Sequence, residues 1–249
     1  MKIGMFGYPG DNLTRLQAMI KALQQSGATR LVCLGGIIWG GRRDEEQGPP
    51  ANVLRWLRAS DIPTLANDND RQVAGWRLQA LENTTGYIQP RVRRFLSAIT
   101  REEGQWIYGR PATLPIGKVL CSADSLTIDA HYPAPLTRYN AGKLFGAMEQ
   151  KAAFFPSANG PSLIVRQESG VVDASKYDGI EESLDAVKVA GIIGGVVGSP
   201  PLNGDVSWGA VVDEEATQLS LVCLDTKTHQ RVPEFGSMLI QRAELHWRE

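Results

Sequence analysis

KIGMFGYPGDNLTRLQAMIKALQQSGATRLVCLGG, residues 2–36, sets two different periodicities back to back. Lys2-Ile3-Gly4-Met5-Phe6 is a short apolar run that stops at Gly7, the pattern of a buried strand. Asp11 or Asn12 can cap a following helix. Leu13, Leu16, Ile20 and Leu23 recur at helical spacing, and Gly27 stands just past the end. Arg30-Leu31-Val32-Cys33-Leu34 is a second apolar strand, stopped by Gly35 and Gly36. This order predicts two parallel strands joined by a right-handed helical crossover, because parallel neighbours need a connection long enough to return the chain.

The pattern continues on the C-terminal side. The loop WGGRRDEEQGPP, residues 39–50, precedes a helix at about 52–59 with Val53, Leu54, Trp56 and Leu57 inward. Ile62-Pro63-Thr64-Leu65 reads as a short third strand. Residues 91–99, RVRRFLSAI, form a helix whose Arg91, Arg93 and Arg94 make a solvated basic face. Short β-like runs follow at 113–120, 126–130, 162–167, 187–193, 208–213 and 218–225, separated by turn signals. Helical patches lie near 141–152, 179–186 and 235–245. No repeat and no linker-like composition breaks the chain. One α/β domain over residues 1–249 is expected, with a second, antiparallel sheet packed on the first.

Composition narrows the function. The chain has 249 residues, 43% hydrophobic and 21% charged, enough to bury a core without disulfide or metal staples. Its 26 Lys+Arg against 27 Asp+Glu leave a net charge of −1, so no strong field points at nucleic acid or an anionic membrane. No run approaches ~20 apolar residues, so no membrane span is expected. The apolar run at the start is too short for a signal peptide. Cys33, Cys121 and Cys223 each sit in an apolar run and read as buried, reduced thiols, which implies a cytoplasmic protein.

Ligands of open α/β sheets bind outside the C-terminal ends of the strands. Those ends are Gly7-Tyr8-Pro9-Gly10-Asp11-Asn12, then Gly35-Gly36-Ile37-Ile38-Trp39-Gly40-Gly41, then Ala66-Asn67-Asp68-Asn69-Asp70. The paired glycines offer backbone N–H groups to an anion, without a dinucleotide or P-loop fingerprint. Asp11, Asp68 and Asp70, with Asp124 and Asp129, are oxygen ligands for a weak Mg²⁺ or Ca²⁺ site, though Asx-rich loops commonly form turns and caps.

The order of these loops resembles the calcineurin-like metallophosphoesterases. Their strand ends read D-x-H-G-N, G-D-x-V-G-x-G and G-N-H-D, followed by H-G-S-P, G-H-T-H-x-P and N-P-G-S-V-G-x-P-R-D-G-D. The best-preserved stretch here is Gly194-Gly195-Val196-Val197-Gly198-Ser199-Pro200-Pro201-Leu202-Asn203-Gly204-Asp205, followed by the strand-like SWGAVVD. Arg30-Leu31-Val32-Cys33-Leu34-Gly35 and the helix at 13–23 also match, and the likeness runs from residue 2 to about 225. The resemblance implies a two-sheet β-sandwich flanked by helices. It also implies a pair of divalent metals about 3.5–4 Å apart that clamp a phosphate and activate a water.

The ligand positions depart from that pattern. The family's first Asp falls on Gly7, its first His on Pro9 and its bridging Asp on Gly36. Asn-His-Asp becomes Asp68-Asn69-Asp70, which puts Asn69 on the acid/base histidine. A one-residue shift would instead put Asn67 on the Asn and Asp68 on the His. Pro156-Ser157-Ala158-Asn159-Gly160-Pro161 stands where both histidines of G-H-T-H-x-P belong. His131 fits the strand-end ligand position, with Cys121 as the competing placement. The only other histidines are His229 and His246, outside every site loop.

The expectation is therefore a catalytically degenerate protein kept for binding, as a scaffold or regulatory subunit. Its vestigial pocket comprises Gly7, Pro9, Gly36, Asp68, Asn69, Asp70, His131, Ser157 and Asn159. Tyr8, Ile38, Trp39, Arg42 and Arg43 are candidates for a partner surface, since aromatic and apolar groups beside arginine suit one. No cofactor and no metal are expected. A weakly held ion would use Asp68, Asp70 and His131. Two alternatives stay open: a hydrolase with a remodelled one-metal site of Asp68, Asp70, His131 and Asn159, and a binder of a small, nucleotide-like molecule in the vacated cavity.

Overall fold

The computed structural model describes residues 1–7, 9, 12–38, 49–79, 90–117, 119–123, 152–157, 160–173, 183–191, 206–213, 218–225 and 228–231. In chain order the elements are β1 (Lys2–Phe6), α1 (Leu13–Gln25), β2 (Arg30–Cys33), α2 (Asn52–Ala59), α3 (Asp68–Gln79), α4 (Pro90–Ala98), α5 (Arg101–Tyr108), β3 (Thr113–Ile116), β4 (Val119–Ser122), β5 (Ala152–Ser157), β6 (Gly160–Asp173), β7 (Ser183–Gly191), β8 (Val206–Asp213) and β9 (Gln218–Asp225). The architecture is mixed α/β, with helices and two small sheets.

The expected crossover is present. β1 and β2 pair in parallel, Ile3 opposite Arg30 and Phe6 opposite Cys33, with α1 between them. Asn12, rather than Asp11, caps α1: its Oδ1 accepts from the Arg15 N–H at 2.9 Å. Gly27 leaves the helix at φ +92°, a conformation glycine adopts without strain. α1 packs closely on the sheet because β8 offers Gly209. A Cβ there would stand 2.7 Å from the Met19 Sδ and 3.1 Å from the Leu23 Cδ2.

Long-range pairing supplies the rest of the first sheet, whose order is β2-β1-β8-β9. β8 runs antiparallel to β1, Lys2 opposite Asp213, so the sheet is mixed. The third strand expected at 62–65 is reduced to one parallel bridge between Cys33 and Thr64. Pro63 contributes its carbonyl to the Cys33 N–H but has no N–H to give, which shortens the ladder. The second sheet, β3-β4-β5-β6-β7, is not wholly antiparallel, since β4 and β5 pair in parallel. The run expected at 113–120 is two strands turned at Gly117, which has φ +54°.

β5 covers residue 152, where a helical patch ended, and β7 begins inside the patch expected at 179–186. Pairing of Leu184 with Val172 and Ser183 with Asp173 overrides the local helical spacing there. The sequence expectations at 126–130, 141–151 and 235–245 lie outside the described residues.

The main core joins α1, α2, α4 and α5 to the first sheet through Leu16, Leu23, Leu54, Leu57, Phe95 and Ile107. Cys121 of β4 meets Met5 of β1, sulfur to sulfur, at 3.7 Å. Cys33 and Cys121 are buried free thiols, and burial pushes Cys33 up to about 12, so it stays protonated. α2 and α5 are tied by charge. Arg55 Nε donates to Glu103 Oε1 at 2.7 Å, and Arg58 pairs with Glu102. Burial alone would push the Glu103 carboxyl up. The Arg55 guanidinium and the Thr100 N–H outweigh it and hold the carboxyl below its ordinary range.

Candidate functional site

The strand ends converge around one carboxylate. Gly7 and Pro9 after β1 are buried, and so are Gly35, Gly36, Ile37 and Ile38 after β2. Asp70, fully buried on the first turn of α3, reaches across to the second loop. Its Oδ2 accepts the Gly36 N–H at 2.8 Å and the Asn67 N–H at 3.3 Å, and its Oδ1 accepts the Ile38 N–H at 3.2 Å. Asn67 caps α3 in return, its Oδ1 accepting the Asp70 N–H at 2.8 Å. The two residues form a reciprocal capping pair, so the Asx-rich stretch expected as a loop starts a helix at Asp68.

This geometry accounts for the glycine pair. Gly35 and Gly36 stand at φ +88° and +72°. A Cβ on Gly35 would lie 3.2 Å from the Asp70 Oδ2, the Asn67 N and the Leu65 O. The positive φ turns successive amides inward to make an anion nest. The nest holds an internal anion: the N–H groups of Gly36 and Ile38, which the sequence offered to a phosphate, donate to Asp70. Burial pushes the Asp70 carboxyl up to about 6, against the opposing pull of the amides of Ile38, Gly36, Asn67 and Ile37. A carboxylate engaged by three donors and closed to water is poorly placed to act as a base or to accept an incoming cation.

Neighbouring acidic and amide residues do not join it. Successive residues on a helix are turned by ~100°, so positions 68 and 69 face away from position 70. The Asp68 side chain is 86% exposed and stands 3.6 Å from the Arg71 guanidinium, while Asn69 is exposed. Both line an open groove of about 530 Å³ with Arg71, Gln72, Gly75, Trp76 and, from the end of α5, Tyr108. The structure therefore splits the grouping of Asp68, Asn69 and Asp70 into one inner residue and two outer ones.

Among the described residues no three His, Cys, Asp or Glu side chains come together in a way that could hold a metal ion. Gly7 and Gly36 bring no side-chain ligand atoms to the strand ends. Ile38, expected on a partner surface, is only 5% exposed, because its amide is drawn inward to Asp70. Ser157 is the last residue of β5, paired with Gly160. Cys121 is buried in β4. Tyr8, Trp39, Arg42, Arg43, His131 and Asn159 lie outside the described residues, as do Asp11, Asp124 and Asp129.

The α3–α5 groove was not foreseen in the sequence. Two signals pointed to it: a glycine in the middle of a helix-forming stretch, and Tyr108 beyond the last core position of α5.

The arrangement of strands and helices is similar to that of a solved metallophosphoesterase, in keeping with the loop order read from the sequence. A metallophosphoesterase from Sphaerobacter thermophilus has a similar structure, with a TM-score of 0.54 at 14% identity, covering 99% of this chain and 95% of that one. A hypothetical protein from Pyrococcus horikoshii OT3 is similar with a TM-score of 0.55 at 13% identity, covering 100% of this chain and 99% of that one. At such identities the likeness is one of fold. No protein-family model and no curated protein matches the chain by sequence.

Proposed function

We propose that this chain is a catalytically degenerate protein on the metallophosphoesterase fold, a two-sheet sandwich flanked by helices, retained as a binding, scaffold or regulatory subunit. The observation that carries the reading is the occupied nest at the strand ends. Two dications held side by side need several anionic and imidazole side chains converging on them. At the corresponding strand ends stand Gly7, Pro9 and Gly36, and Asp70 spends its charge on three backbone amides. That donor set does not fit a two-metal centre. Fold and chemistry separate readily, since a fold is kept by its packing and an activity by a few side chains.

The same reading takes residues 1–249 as one domain, working in the cytoplasm with a protein or small-molecule partner and with neither nucleic acid nor membrane. Buried thiols at Cys33 and Cys121 and the balanced charge support it. Among the described residues no helix is long and apolar enough to cross a membrane.

The test is direct. The purified chain is incubated with Mn²⁺, Mg²⁺ or Zn²⁺ and assayed on phosphomonoester and phosphodiester substrates. No metal-dependent turnover is expected; turnover at ordinary enzyme rates would end the reading.

A further inference from the structure

We draw no further inference here: the strongest candidate, the side-chain cluster of Arg15 on the first turn of α1 with Asp225 at the end of β9 and His229 in the turn beyond it, rests only on the lowering of the His229 pKa by burial and by the Arg15 charge, and nothing in the structure shows what it would bind.

Discussion

Asp68 and Asp70 stand two residues apart on α3 and end in opposite surroundings. Asp70 is fully buried, feeds on three backbone amides and ties the loop after β2 to the start of the helix. Asp68 is 86% exposed and stands 3.6 Å from the Arg71 guanidinium, at the rim of an open groove. The inner face of α3 holds an internal carboxylate and is part of the scaffold. The outer face turns its polar groups to the open groove, where Arg71 meets Asp68 and the Arg110 carbonyl. An aspartate is therefore no indicator of chemistry until its partners are known; the carboxylate that looks most site-like here is the one most fully consumed by the fold.

The contrast can be broken from the inner side first. Asp70→Ala orphans three buried N–H groups, each worth roughly 1–3 kcal/mol, and should cost about 3–5 kcal/mol in urea unfolding. A loss near zero would mean that the nest does not hold the loop.

Titration gives the next largest effect. The folded Asp70 carboxyl lies at about 6, above its ordinary value of about 4 in the unfolded chain. Its protonation favours the folded state, so that stabilisation is complete below pH ~4 and is lost as pH rises through about 6. Wild type should lose roughly 3 kcal/mol across this window relative to Asp70→Asn, which has no such proton to release. Parallel stability curves for the two proteins would contradict the burial.

Gly35→Ala sharpens the same side. It strains a φ of +88° and crowds the Asp70 Oδ2, so a cost of about 2 kcal/mol is expected from thermal unfolding. The outer face should respond oppositely. Gly75→Ala, with room for its methyl group, should gain about 1 kcal/mol. Asp68→Ala, in an exposed pair, should change stability by less than about 0.5 kcal/mol. A large loss at Asp68 would erase the distinction between the two faces.

Much of the fold was legible from local pattern. Leu13, Leu16, Ile20 and Leu23 marked α1, Gly27 marked its end, and the runs at 2–6 and 30–34 marked β1 and β2, because helix and strand periodicities survive whatever packs on them. The loop order also pointed to the metallophosphoesterase fold. Sheet membership was less legible. Nothing local to β8 says that it pairs with β1, and the parallel pairing of β4 with β5 is likewise a long-range choice. The start of α3 was read as loop because Asp68, Asn69 and Asp70 are common turn formers. Only the bonds between Asn67 and Asp70 turn the same residues into a helix cap.

The candidate site divides along the same line. That glycine and proline stand where acid and imidazole side chains would be needed is a matter of residue identity, open to inspection before any folding argument. That Gly36 turns its amide toward a carboxylate 34 residues away, and that this carboxylate comes from the chain itself, depends on two segments meeting in space. Side-chain chemistry is written residue by residue, whereas the direction an N–H points and the company a charge keeps are set by the packing of distant segments.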